Sequence, residues 1–383
     1  MKKMIHFIIV VIFTISSVYA QRYDAKMLLD GKMREFIVVK PTGSVPQDGY
    51  PVVFMLHGTG QDGEIFYNNT SWKELGEIEK FITVFPNSLA YCIEEDGIMR
   101  TTFKWNNGGL QSVACPGQDI KDDVKFIRKM VDTIKATFPI NASMIFVSGF
   151  SNGGQMSAKL AIEMNDVFAA STSNGAGLND LDSGAVAHKI PVWDMMGNQD
   201  SMFLDRSGKL YIPFNDSCLA YLQKPITNYL GSLRLTNIFT KDSNAVSINY
   251  DFKESLPNDE AGFYRFTIVK GMKHVYPNGS NYPVDVTPLH WAFFKNYKKL
   301  LAIKTVLKSE PLKLYPNPAQ DEIIIDTENK IYSCEIFDIL GKAMLTYNNL
   351  SQNTIDISSI PTGAYLLKII TSKGMQTNKF IKN

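Results

Sequence analysis

Gly149-Phe150-Ser151-Asn152-Gly153 sets a hydroxyl at the centre of a G-x-S-x-G pattern, after an apolar run at 144–147 and before a helix-like run at 153–165. A serine so placed sits on a sharp strand-to-helix turn, where side chains two residues away would collide, and this explains the glycines. Gly154 adds room. At a helix N-terminus the backbone dipoles face the charge that develops when the oxygen attacks a carbonyl. The chemistry expected of Ser151 is therefore nucleophilic, through a covalent intermediate.

A serine hydroxyl is a weak nucleophile at neutral pH, so a histidine base and an orienting carboxylate must come from elsewhere. Of the five histidines, His6 falls in the N-terminal apolar segment, and His57 and His188 lie at positions unsuited to the role. His290, beside Trp291 in a helix-like run, stays in reserve. His274 follows the strand-like run 263–269 and is the expected base, working at neutral to mildly alkaline pH once a carboxylate orients it. Asp200, just past the apolar run 192–196 and Gly197, is the expected acid; Asp194 within that run and Asp205 beyond it are alternatives. An oxyanion would be met by two backbone N–H groups, those of Asn152 and of Thr59 in Leu56-His57-Gly58-Thr59-Gly60. His57 is then expected to tie down its own loop.

These residues need a scaffold, and the periodicity supplies one. Runs 36–39, 52–56, 82–85, 144–147, 192–196 and 263–269 read as strands, and 121–137, 153–165 and 287–301 as helices, with Asp119 capping the first. Strand, helix, strand in succession implies an α/β fold with a mostly parallel central sheet. Asp122 and Asp123 read as a solvated first helical turn. No metal-ligating cluster and no phosphate-binding loop is visible, so no metal and no cofactor is expected. Lys+Arg at 39 against Asp+Glu at 38 leaves a net charge of +1, which offers nothing to nucleic acid.

Residues 38–297 resemble the feruloyl esterases and extracellular poly(3-hydroxybutyrate) depolymerases, within the larger set of carbohydrate esterases. The likeness rests on Leu56-His57-Gly58-Thr59-Gly60, Phe85-Pro86-Asn87, Trp105-Asn106, 122–127, 149–156 and Gly271-Met272-Lys273-His274. It implies an α/β-hydrolase fold and hydrolysis of feruloyl or acetyl esters on plant polysaccharide. Depolymerisation of a polyester is the alternative, and a non-catalytic surface-binding scaffold is a further one. Met196-Gly197 stands where relatives commonly carry His-Gly, and Val275-Tyr276-Pro277 lacks their tryptophan. Trp105, Tyr67 and Tyr276, together with Phe66 and Trp72, are candidates for a substrate platform.

After residue 301 the pattern changes to short alternating strands at 323–326, 333–339, 342–347, 354–356 and 364–370, a small C-terminal β-sandwich. Leu314-Tyr315-Pro316-Asn317-Pro318-Ala319, 336–342, 361–366 and 379–382 resemble the C-terminal sorting domain of the type IX secretion system of Bacteroidetes. The resemblance implies that secretion machinery as a partner and delivery to the cell surface or the medium. At the other end, Lys2, Lys3, the apolar run 5–15 and Val18-Tyr19-Ala20 read as a signal peptide. That apolar run is shorter than the roughly 20 residues that span a bilayer, so no transmembrane segment is expected in the mature chain. The expected organisation is a signal peptide at 1–20, an esterase domain at 21–302, a linker at 303–311 and the sorting domain at 312–383. Export also exposes Cys92 and Cys115, which flank a Gly-rich loop, to oxidation; a disulfide and a pair of buried thiols both fit their spacing.

Overall fold

The segment Tyr50–Leu56 is buried almost throughout, as a strand covered on both faces must be. Its Val52, Phe54 and Leu56 enter one hydrophobic cluster and Val53 and Met55 another, which is the two-residue alternation of a strand dividing two layers. The computed structural model describes residues 20–95, 97–204, 211–253, 262–299, 313–327, 329–338, 342–348, 353–371 and 374–383. Residues 1–19 of the signal peptide expected at 1–20, the linker expected at 303–311 and Asp205 lie outside them. The chain divides into two compact units, Met1–Leu301 and Ala302–Asn383.

In chain order, the described strands of the first unit are β1 (Gln21–Leu29), β2 (Lys32–Lys40), β3 (Tyr50–Leu56), β4 (Ile82–Pro86), β5 (Ala90–Glu95), β6 (Ile98–Phe103), β7 (Ile140–Phe150), β8 (Ala170–Asn174), β9 (Val192–Gly197), β10 (Phe239–Ser243), β11 (Ser247–Lys253) and β12 (Phe263–Val269). Ten of them form one sheet in the order β1-β2-β4-β3-β7-β8-β9-β12-β11-β10, and β5 pairs with β6 in a separate hairpin. Pairing is parallel from β4 to β12 and antiparallel at both edges. Helices such as Asp123–Thr137 and Asn152–Glu163 make the crossovers that parallel neighbours require. This is the α/β-hydrolase architecture. No helix of the described residues is long and apolar enough to cross a membrane.

Several elements differ from expectation. The first long helix starts at Asp123 with Asp122 as its cap, accepting the Lys125 N–H at 3.0 Å; Asp119 is not the cap. Nor is Asp123 solvated. Its carboxylate is fully buried, pairs with Arg34 at 2.5 Å and accepts the Asn106 N–H at 2.7 Å. The last helix, Val286–Phe294, ends well before residue 301, with Lys295 as its cap. The segment between Cys92 and Cys115 is the β5–β6 hairpin and a short helix, Leu110–Val113, rather than a loop, and a disulfide joins the two cysteines with Cα atoms 5.4 Å apart.

β8 escaped the periodicity because Ser171, Thr172, Ser173 and Asn174 read as polar. Hydrogen bonds make their burial possible: Ser171 Oγ donates to the Ser157 carbonyl and Ser173 Oγ to that of Ala176, both at 3.0 Å.

The second unit holds two antiparallel sheets. One comprises Lys313–Tyr315, Glu322–Asp326 and Thr354–Asp356; the other Ile331–Asp338, Ala343–Asn348, Gly363–Thr371 and Gly374–Lys382. Ile323, Ile325, Cys334, Ile336, Leu367 and Phe380 form their shared core.

Candidate active site

Four loops leave the C-terminal ends of β3, β7, β9 and β12, the end of a parallel sheet where ligands bind in folds of this kind. The loop after β7 carries Ser151, whose backbone is held at φ 54° and ψ −123°, a conformation unusual for any residue but glycine. The flanking glycines make the turn possible. A Cβ on Gly149 would stand 2.0 Å from the Gly153 carbonyl oxygen, and one on Gly153 would stand 2.3 Å from that of His57. The Ser151 N–H is anchored to the Asn174 carbonyl at 2.9 Å.

The loops after β9 and β12 are stitched to each other. Asn198 N–H donates to the Val269 carbonyl at 2.9 Å, Gln199 N–H to that of Met272 at 3.0 Å, and Gly271 N–H to Asn198 Oδ1 at 2.7 Å. Gly197 allows the approach, since a Cβ there would lie 1.9 Å from the Met272 carbonyl oxygen. The stitching brings Asp200 to His274. The His274 Nδ1–H donates to Asp200 Oδ2 at 2.8 Å, and its Nε2 lies 2.9 Å from Ser151 Oγ, placed to accept the hydroxyl proton. Asp200 is fully buried, and its other oxygen accepts the Met202 N–H at 3.0 Å. His274 packs against Phe150, with ring centroids 5.0 Å apart, and lies against Gly175.

Asn152 is the first residue of its helix, so its N–H has no acceptor within the helix. In the loop after β3, Gly58, Gly60 and Gln61 donate their N–H groups to Gln61 Oε1, the Phe103 carbonyl and the Gly58 carbonyl. The Thr59 N–H has no acceptor among the described residues. Gly58 adjoins Ser151: a Cβ there would be 3.4 Å from that of Ser151.

The other histidines are engaged elsewhere. His57 donates from Nδ1 to the Gly58 carbonyl at 2.8 Å and accepts the Ser88 N–H at Nε2, 3.0 Å away. It fastens its loop as a neutral ring, burial pushing its pKa down to about 4. His290, the reserve base, is sealed in the core with Nδ1 3.0 Å from Thr172 Oγ1, and burial lowers its pKa to about 3. Asp194 is buried against the Tyr264 hydroxyl, at 3.4 Å, and burial raises its pKa well above the carboxylate range.

The aromatic platform takes a different form from the one expected. Trp105 is fully buried: its indole N–H donates to the His57 carbonyl at 2.9 Å, and its backbone N–H to Asn152 Oδ1 at 2.6 Å. A residue so enclosed offers no face to a substrate. Tyr67 stands between the Arg22 guanidinium, 4.5 Å from its ring centroid, and the Lys73 ammonium, at 4.6 Å. Tyr276 is buried, its hydroxyl accepting the Trp72 indole N–H at 2.9 Å, yet it lines a cavity of about 250 Å³ beside His274 together with Phe66, Phe150 and Gln61. Phe150 was legible as a member of the G-x-S-x-G motif; Gln61 and Gly175 carry no signal in the sequence.

Residues 39–220 match the model of the phospholipase/carboxylesterase family, and residues 313–383 that of the secretion system C-terminal sorting domain. The chain is similar to a bifunctional acetylxylan esterase/xylanase of Neocallimastix patriciarum, 23% identical over 172 residues, or 45% of this chain and 22% of that protein. It is also similar to poly(3-hydroxyalkanoate) depolymerase C of Paucimonas lemoignei, 29% identical over 130 residues, 33% of this chain and 28% of the other. The chain thus matches less than a third of the length of either. Among solved structures, the acetyl xylan esterase from Aspergillus awamori aligns with 72% of this chain and 99% of its own, at 14% identity and a TM-score of 0.48. The chain thus combines an α/β-hydrolase unit whose residues 39–220 match the phospholipase/carboxylesterase model with a C-terminal sorting domain at 313–383.

Proposed function

We propose that the protein hydrolyses carboxylic esters through an acyl-enzyme on Ser151, and the observation that carries this reading is the hydrogen-bond chain from Ser151 through His274 to Asp200. His274 takes the hydroxyl proton as Ser151 Oγ attacks the ester carbonyl, and Asp200 stabilises the imidazolium. The N–H groups of Asn152 and Thr59 receive the oxyanion. His274 then gives its proton to the departing alkoxide, and water, activated by the same ring, releases the acid and frees Ser151.

The substrate in this reading is a feruloyl or acetyl ester on a plant polysaccharide. The likeness to an acetylxylan esterase supports it, and so does the aromatic cavity beside His274, which suits a small acyl group. Polyester depolymerisation is a second reading, supported by the likeness to the depolymerase. One preparation assayed on methyl ferulate, acetylated xylan and a hydroxybutyrate film separates them; turnover of the film alone overturns the first. A flat progress curve on p-nitrophenyl acetate at high enzyme would instead favour a non-catalytic binding scaffold. The match to the sorting domain supports the type IX secretion machinery as partner and the cell surface or the medium as destination.

A further inference from the structure

The turn after β3 uses only one end of the Gln61 side-chain amide. Gln61 Oε1 accepts the Gly58 N–H at 3.2 Å, and the Gln61 N–H closes the turn onto the Gly58 carbonyl, also at 3.2 Å. A backbone N–H can only donate, so this contact fixes the amide with its oxygen towards Gly58 and its NH2 group away from it. The NH2 group has no acceptor among the described residues.

The amide lies beside the atoms expected to react. A Cβ on Gly58 would stand 2.8 Å from Gln61 Oε1, 3.3 Å from the Phe150 ring and 3.4 Å from the Ser151 Cβ, so the amide and the serine flank the same small residue. Gln61 is half-buried and lines the cavity that His274 borders. Other polar side chains of that cavity are engaged. The Tyr276 hydroxyl meets Trp72 Nε1 and Thr287 Oγ1, and Thr70 Oγ1 donates to the Phe66 carbonyl at 2.6 Å. Asn278 Nδ2 donates to the Asn69 carbonyl at 2.9 Å, and Asn281 Nδ2 to that of Tyr276 at 2.6 Å.

Thr59 sits inside the turn that Gln61 closes on Gly58, so the Thr59 N–H and the Gln61 amide belong to one braced unit. A donor held in place before the substrate arrives needs no reorganisation when charge develops. An alkoxide oxygen has three lone pairs, and the N–H groups of Asn152 and Thr59 would fill two. We infer that Gln61 Nε2 is the third donor, a catalytic side chain that meets the ester oxygen as it becomes an oxyanion. The inference rests on Ser151 being the nucleophile and goes beyond that reading by adding a side chain to the backbone donors.

Two substitutions separate the ends of the amide. Gln61→Glu keeps an oxygen for the Gly58 N–H, removes the donor and brings a negative charge; Gln61→Ala removes both ends. If the amide only braced the turn, Gln61→Glu would behave as the wild type, and Gln61→Ala would lose stability and activity together. A donor to the oxyanion makes the two orders part. The thermal midpoint should be near the wild-type value in Gln61→Glu and lower in Gln61→Ala. On p-nitrophenyl acetate, kcat should fall in both and at least as far in Gln61→Glu, by about a hundredfold, with KM within about threefold. Near-normal kcat in Gln61→Glu overturns the inference, as does a loss confined to KM.

A second measurement reads the oxyanion itself and decides the matter if Gln61→Glu folds poorly. When Ser151 Oγ adds to a trifluoromethyl ketone, the carbonyl π pair moves to the ketone oxygen and the hydroxyl proton to His274, leaving a hemiketal oxyanion. In Gln61→Met, which keeps the length of the side chain without an N–H, the inhibition constant should weaken by the factor by which kcat/KM falls. An unchanged inhibition constant overturns the donor role while leaving Ser151 as the nucleophile. A wild type inert on the ester and indifferent to the ketone overturns the nucleophile reading, and the role of Gln61 with it.

Discussion

The indole N–H of Trp105 donates to the backbone carbonyl of His57 at 2.9 Å. The same residue's backbone N–H reaches Asn152 Oδ1 at 2.6 Å, and its carbonyl accepts from Asn152 Nδ2 at 3.3 Å. One buried tryptophan therefore braces both loops that supply the proposed oxyanion donors, Thr59 and Asn152. The brace is itself backed, since the adjoining Asn106 N–H rests on Asp123, which is paired with Arg34.

Trp105→Phe keeps an aromatic ring, though one smaller than the indole, and removes the donor to His57. Loosening one wall of the oxyanion site weakens the transition state more than the bound substrate. The expected result is a fall in kcat of about tenfold on p-nitrophenyl acetate with KM within about threefold. A pure KM effect would count against the bracing role. The orphaned carbonyl should also cost roughly 1–3 kcal/mol of stability, read from the denaturation midpoint.

Ser151→Ala or His274→Ala should each lower kcat by about 10⁴-fold or more, and Asp200→Ala somewhat less, because the three act as a unit. All three variants should keep the far-ultraviolet spectrum of the parent. Near-normal turnover in His274→Ala would show that the base lies elsewhere.

His290 gives a pH signature of the core. Burial holds its folded pKa at about 3, well below the ordinary histidine value. Between those two pH values the unfolded chain binds a proton that the folded chain refuses, so the stability this neutral ring contributes is present above about pH 6.5 and falls as the pH drops. Buried Asp194, its pKa raised, works in the opposite sense, so the contribution must be read as a difference. The stability gap between wild type and His290→Gln should shrink by roughly 3 kcal/mol or more from pH 7 to pH 4. Urea midpoints across that range measure it, and a constant gap would contradict a neutral buried ring.

A chain ended at Ala302 should retain a folded hydrolase whose kcat/KM on a soluble ester matches the full length, since the preceding residues form their own compact unit. Export should fail: in a host with the secretion system the shortened protein should collect in the periplasm, while the full chain reaches the surface or the medium. Loss of soluble-ester activity on truncation would make the tail structural. Loss of binding to an insoluble polymer alone would make it a substrate-binding module.

The sequence by itself determined the parallel α/β scaffold, the serine turn with its glycines and the separate strand-rich tail, because each is written in local periodicity or in short-range steric need. Phe54 and Met55 fall on opposite faces of β3 by alternation alone, and Gly149 is required by the Gly153 carbonyl four residues on. What only the tertiary structure decided are relationships across long chain separations. Trp105, read as a substrate platform, is a buried strut because Asn152 and the His57 carbonyl take its polar groups. Asp123, read as a solvated helix residue, is buried because Arg34 arrives from β2, 89 positions away. β8 was hidden because its serines and threonine become acceptable in a core only when partners such as the Ser157 and Ala176 carbonyls stand beside them. Polar burial depends on the partner rather than on the residue's own type, and the partner is fixed only when the sheet closes.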